Sequence, residues 1–332
     1  MNLYEETKKL WTPETEKLAA RWAREMLDGL DAVKKARKRF RIPRKSRLRL
    51  YLRLSEVGKA SKPEASRVVF SLRHRGQEVA KLSVGKTPEC EVTSELEKSN
   101  AKYFGVNTTV GKFPWRSREA TEFRQTFEEA PSGTKACIPE HEYESRILEE
   151  LEKKEGATKF GGTVKYVRHC GPFDIPIQFP VPVSGNKGVP EEERGNIDIL
   201  VRRGRGGLRL SVWEVKSPRK FAKALAQAYI YSVCLALMLR SKAGPDWYRL
   251  LRISRNKVPR KCEVPPNLTL EAVVVVTRDQ EDEVQEALRE FKDNHVPLEV
   301  KHRGGTTTIT LHVAYYDPVS LKISGGLLPL VP

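Results

Sequence analysis

Paired cysteines are missing from this sequence. The five present, Cys90, Cys137, Cys170, Cys234 and Cys262, are odd in number and widely spaced, and no C-x-x-C occurs. That argues against a disulfide framework, a zinc ribbon or a cysteine-held iron–sulfur cluster. Free thiols suit a reducing cytosol. Histidine is scarce too, with six residues and no H-x-x-x-H pair, so nothing points to a zinc site. The glycine run GRGG (204–207) is not followed by Lys-Ser or Lys-Thr, which removes a phosphate-binding P-loop and leaves a hairpin turn. No basic-then-apolar leader opens the chain, which begins MNLYEETKKLW. The longest apolar stretch, Ala228–Leu239, is short and interrupted for a bilayer span. The expectation is a soluble cytoplasmic protein with no membrane partner. Internal repeats and low-complexity tracts are absent as well.

Acids are the other shortage. Lys and Arg number 60 against 43 Asp and Glu, a formal net charge of +17, which points to a polyanionic partner, most often nucleic acid. The excess is concentrated early. Eleven Lys or Arg and no acid lie between Lys34 and Arg53.

The pattern along the chain predicts two parts. Thr12-Pro13-Glu14 is a helix start, followed by Leu18, Trp22, Met26, Leu30 and Val33 at helical spacing. Pro43 ends any helix there. RLRLYLRL (47–54) alternates as a strand, with leucines inside and Arg47, Arg49, Tyr51 and Arg53 outside. RVVFSLRH and QEVAKLSV flank an Arg75-Gly76 turn and predict a hairpin. APSGTKACIP (130–139) is a candidate linker. Beyond it come a helix (140–156), a strand (163–169), a Pro/Gly-rich connection (171–195) and a hairpin, NIDILVRR with LRLSVWEVK. A long helix, the buried strand EAVVVVT, a helix (281–293) and two strands (297–302, 307–315) complete the order. The fold class expected is α/β, preceded by an α+β part, as two domains: 1–133, a basic unit for substrate recognition or regulation, and 134–332.

The chemistry concentrates in DILVRRGRGGLRLSVWEVK (198–216). Leu208, Leu210 and Val212 share a strand face that ends in Glu214 and Lys216. Across the predicted hairpin, Asp198 lies near Trp213 or Glu214, so two carboxylates can converge on one point. That is a hard oxygen site of the kind Mg²⁺ prefers. Lys216, on the same face, can stabilise charge on a phosphate; the plainer reading is a salt bridge at a strand end. Arg219 and Lys220 occupy the first turn of the next helix, where a bound phosphate offsets the unfavourable dipole. Lys220, Lys223, Gln227 and Tyr231 form one stripe along it. Glu144 shares a face with Leu148 and Leu151 and is a third candidate acid, with Glu140 and Glu142 as competitors.

An acid-bearing helix, a strand, the Ile197-Asp198 strand, the Glu214-Val215-Lys216 strand and the Gln227-Ala-Tyr-Ile-Tyr231 helix together resemble the PD-(D/E)xK nuclease superfamily, in its RecB-like branch. The resemblance spans about residues 138–280. Ile197 stands where the name has proline, and the iron–sulfur cysteines are lacking. It implies a restriction-endonuclease-like mixed sheet flanked by helices with an αβββαβ core. It implies Asp198 and Glu214 as metal ligands with the Val215 carbonyl, Lys216 as catalytic lysine, Glu144 as the helix acid, and Gln227 and Tyr231 as a site-facing pair. The function implied is Mg²⁺-dependent DNA hydrolysis, endonucleolytic by preference, with Mn²⁺ as a substitute, in phage defence, restriction or DNA processing. Many nucleases of this fold act as dimers, so a homodimer is an allowed partner. Arg47, Arg49, Tyr51, Arg53, Arg219, Lys220 and Lys223 are the expected nucleic-acid contacts, with Tyr51 stacking on an unpaired base. The alternatives are a non-catalytic nucleic-acid-binding module on the same fold and an RNA-directed nuclease.

Overall fold

The computed structural model describes residues 2–43, 45–53, 68–85, 87–130, 139–152, 168–169, 177, 179–203, 209–216, 221–252, 262–278, 281–293, 297–317 and 322–330. Contacts divide the chain into two compact units: Glu25–Ser145 with Ile175–Ile177, and Met1–Arg24 with Arg146–Asp174 and Gln178–Pro332.

The first unit is built on a five-stranded antiparallel meander: β1 (Leu48–Leu52), β2 (Val68–His74), β3 (Gln77–Val84), β4 (Pro88–Val92) and β5 (Gly111–Pro114). The β2–β3 turn forms where expected. Arg75 and Gly76 both adopt positive φ, 50° and 82°, the backbone that tight hairpins require. A carbon added to Gly76 would run into the His141 carbonyl, and Arg75 holds both carboxylate oxygens of Glu142. Helices α3 (Ser94–Phe104) and α4 (Arg118–Glu129) belong here, capped by Thr93 and Ser117.

The second unit carries a seven-stranded mixed sheet. Its strands are β6 (Arg168–His169), β9 (Ile199–Arg203), β10 (Arg209–Val215), β11 (Asn267–Thr277), β12 (Glu299–His302), β13 (Gly305–Asp317) and β14 (Lys322–Leu330). The order is β12-β13-β11-β10-β9-β6, with β14 also on β13. Neighbours β10–β11 and β11–β13 are parallel and the other pairs antiparallel. Between β10 and β11 runs α6 (Phe221–Arg240), the crossover that parallel pairing needs, followed by α7 (Gly244–Leu251). A separate hairpin, β7 (Phe179–Val181) with β8 (Gly195–Ile197), precedes β9. Helices α1 (Leu3–Lys9) and α8 (Glu281–Asp293) pack on α6. The remaining helices are α2 (Pro13–Arg39) and α5 (Pro139–Glu152). An α/β class is therefore correct.

α6 is long and apolar enough to cross a membrane, but 89% of its most apolar window is buried in the protein. It is a core helix, apolar all round because it is covered all round.

The compact units divide at 145/146, where a boundary at 133/134 was expected, and Met1–Arg24 groups with the later residues. The reason is long-range: Glu16 is held by Arg303 at 2.9 Å and by the Lys242 amide at 3.2 Å, and Trp22 lies under Arg194. NIDILVRR is not one strand, because it breaks at Asp198. Inside the Pro/Gly-rich connection sits the β7–β8 hairpin, and a fourteenth strand closes the sheet. Tyr51 does not face outward. It is 2% exposed beneath the Arg73 guanidinium, 4.3 Å from its ring centre. The GRGG turn, the start of the 163–169 strand and residues 153–156 lie outside the described residues.

Candidate active site

The site starts from the break at Asp198. Ile199 pairs with Trp213, so Asp198 is the next residue out, level with Glu214. Its backbone has left the ladder, and its carboxylate takes the place of a strand partner. Asp198 Oδ2 accepts the Val215 amide at 3.0 Å. Backbone groups along a strand alternate sides. The Lys216 amide donates to Val275 on β11 at 3.1 Å. The Val215 N–H and carbonyl are thereby turned to the opposite side, toward Asp198.

Glu214 continues the Leu210–Val212 face into the core and is fully buried. Neither of its carboxylate oxygens has a hydrogen-bond partner among the described residues. Lys216 Nζ stands 3.6 Å from Glu214 Oε2 and 3.5 Å from Asp198 Oδ2. These separations exceed the roughly 2.7–2.9 Å of a closed charge-assisted hydrogen bond. A carboxylate without hydrogen bonds in the core is expensive, and a salt bridge formed for stability would close on it. Burial first, then the Asp198 charge, pushes the Glu214 pKa well above the carboxylate range, with Lys216 opposing in part.

α6 completes the site. Gln227 and Tyr231 are both buried, which rules out a solvated stripe beyond the exposed Lys223. They meet a residue the sequence reading passed over, Asn186, at the tip of the β7–β8 hairpin. Gln227 Nε2 donates to Asn186 Oδ1 at 3.2 Å and to the Tyr231 hydroxyl at 3.3 Å, and Tyr231 donates to Asn186 Oδ1 at 2.9 Å. Burial, with the Glu214 charge next, raises the Tyr231 pKa to about 12, so this hydroxyl stays a donor. Gly195 admits the tyrosine: a carbon added there would lie 2.7 Å from Tyr231 Cε1 and 2.8 Å from Val183 O. The signal for this hairpin was the turn sequence Ser184-Gly-Asn-Lys-Gly188 just upstream of Asp198.

The other candidates are distributed differently. Glu144 is buried at the end of the unit Glu25–Ser145. Its competitor Glu142 is committed to Arg75. Arg47 donates to the Ala130 carbonyl and its amide to Glu128, while Arg53 is paired with Glu78. Arg49 is half-buried on β1. Arg47 and Arg53 thus have partners within the first unit. Arg219 and Lys220 lie outside the described residues.

A divalent cation fits what is present. Two carboxylates face one ammonium, one carboxylate is buried with both oxygens unused, and the Val215 carbonyl is turned the same way. Among the described residues no third His, Cys, Asp or Glu joins them, so the remaining positions of a hard cation would fall to water and substrate. Comparison with protein-family models, with curated proteins and with solved structures returned no match.

Proposed function

We propose that the protein is a metal-dependent deoxyribonuclease with a PD-(D/E)xK-type, restriction-endonuclease-like core. The observation that carries the reading is the convergence of Asp198, Glu214 and Lys216 around a buried carboxylate that has no hydrogen-bond partner among the described residues. The order β6, β9, β10, α6, β11, with the first three antiparallel and the last pair parallel, agrees with the αβββαβ arrangement. Asp198, Glu214 and the Val215 carbonyl would hold Mg²⁺ or Mn²⁺, which supplies Lewis-acid polarisation of the scissile phosphate. Lys216 brings a positive charge to the same point, where it stabilises the extra negative charge of the phosphoryl transition state. Asp198 fixes the strand end by holding the Val215 amide. Glu214, sealed from solvent, would give up its proton as the cation binds, and in that low-dielectric setting its carboxylate would attract the cation strongly. Tyr231 and Gln227 act as neutral donors that set the rim of the site.

The test is cleavage of plasmid, linear and single-stranded DNA and of RNA with Mg²⁺, Mn²⁺ or EDTA, beside Asp198→Ala and Lys216→Ala. Metal-dependent DNA cleavage that falls by about 100-fold or more in both variants is the expected result. Cleavage that survives both substitutions overturns the site. No cleavage of DNA in any form with either metal overturns the nuclease reading, and cleavage confined to RNA reassigns the substrate.

A further inference from the structure

The hairpin formed by residues 179–197 does more than lead into Asp198. Its arms pair from Phe179–Ile197 to Val181–Gly195, a bridge between Ser184 and Glu191 extends it, and residues 185–190 form its tip. The tip rests on the start of α6. A carbon added to Gly185 would lie 3.3 Å from the Gln227 Cα, and one added to Gly188 would lie 3.3 Å from Lys223 Cγ. Gly188 also adopts a φ of 81°, which a residue with a side chain rarely does. Asn186 is exposed there, yet its Oδ1 takes both buried donors, Gln227 and Tyr231. Those two hydrogen bonds decide which end of the amide is which. The oxygen points in, so Nδ2 presents its two N–H groups outward, and among the described residues nothing accepts from them.

An anchored amide with a free donor edge, on a hairpin tip that packs against exposed Lys223 and bonded to the Tyr231 that feels the Glu214 charge, suits an anionic acceptor. We propose that Asn186 is a substrate-contacting residue whose Nδ2 donates to a backbone phosphate of the DNA, with the hairpin tip as the element that seats the strand over the site. This rests on the nuclease reading.

Asn186→Asp is the informative variant, because its carboxylate still accepts from Gln227 and Tyr231 while both outward donors are lost. Binding of a labelled DNA duplex is measured by anisotropy with Ca²⁺, a hard cation in place of Mg²⁺, and turnover is measured with Mg²⁺. The expected result is an unchanged Tm, duplex binding weakened about tenfold or more, and kcat little altered. A scan of single neutral methylphosphonate replacements should show the penalty disappearing at one phosphate. A penalty equal at every position marks bulk charge repulsion and overturns the contact. Asn186→Asp binding like the wild type, with only Asn186→Leu impaired, makes Asn186 an anchor for Gln227 and Tyr231 and also overturns it. Wild-type protein that neither binds nor cleaves DNA removes the nuclease reading itself, and the inference with it.

Discussion

Glu214 is placed where a folding criterion alone would put leucine or valine. Leu210 and Val212 precede it on the same face, and all three are sealed from solvent. Its raised pKa fixes the sign of a pH effect. The folded state holds the proton more tightly than the unfolded chain, so the side chain's contribution is fully present below the ordinary glutamate pKa of about 4.3. It is lost as pH rises from there toward the folded value. Glu214→Gln abolishes that dependence and also removes a proposed metal ligand. In EDTA, the Tm of wild type should fall relative to Glu214→Gln between pH 4.5 and 7.5, and Mg²⁺ should restore the wild type only. Parallel Tm profiles for the two proteins would show that this carboxylate carries no unbalanced charge. On the proposed function the variant should also lose DNA cleavage by about 100-fold or more, since the stability gain comes from discarding the carboxylate proposed to bind the cation.

At the level of elements, two contacts decide whether the site is held. Gly195 on β8 leaves the room that Tyr231 fills, with Val183 O closing the other side. Gly195→Ala puts a methyl group into both, and the cost of such overpacking is about 1–3 kcal/mol. Cleavage should fall more steeply than stability, because the tyrosine must move; urea melts and initial rates measured on the same preparation separate the two. At the far end of α6, Arg240 is buried and donates to Thr307 Oγ1 and to the carbonyls of Pro265, Pro266 and Thr306. A cation there also suits the helix C-terminus. Arg240→Met leaves those acceptors unpaired and should destabilise the protein by about 2–4 kcal/mol, read as a lowered urea midpoint. How much of this could be read beforehand differs by element. β10 and α8 were legible because their apolar positions recur with a clear period, and α6 as one long apolar run that brought the Gln227-to-Tyr231 spacing with it. The β7–β8 hairpin was not, since Pro, Gly and Ser dominate it and its partners on α6 lie about forty residues away, as Asn186 to Gln227 shows. Alternation correctly made β1 a strand but misplaced Tyr51, because Arg73 on the adjacent strand supplies the cover. The break at Asp198 left no local trace: a carboxylate replacing a strand partner is visible only once the register of β10 is known.

For the molecule as a whole, the two units differ in what acid should do to them. In the unit Glu25–Ser145, His74 packs edge-on against Phe104 at 4.9 Å and lies 5.4 Å from Phe127. Burial, then the nearby Arg75 and Arg47 charges, lowers its pKa from 6.5 to about 4, against a small opposing pull from Glu128. The sign follows from proton uptake. Above about pH 6.5 the imidazole is neutral folded or unfolded and costs nothing. Below that the unfolded chain takes the proton and the folded unit refuses it, so stability drops steadily until the folded pKa is reached. At about 1.4 kcal/mol per pH unit of difference, the loss between pH 6.5 and 4.5 comes to roughly 2–3 kcal/mol. This is large against the roughly 5–15 kcal/mol that holds an ordinary domain. In the unit that carries Asp198 and Glu214, burial and then the Arg303 charge also lower the His302 pKa, but that ring is only half-buried, and the raised Glu214 carboxylate gains from acid instead. Mild acid should therefore unfold the first unit ahead of the second. Hydrogen exchange at pH 7 and pH 4.5 should show protection falling in β1 to β5 while β10, β11 and α6 keep theirs. His74→Phe keeps the ring packing and cannot take a proton, so it should hold the first unit's protection constant across that range. Equal loss in both units, or acid sensitivity that persists in His74→Phe, would place the acid-labile group elsewhere.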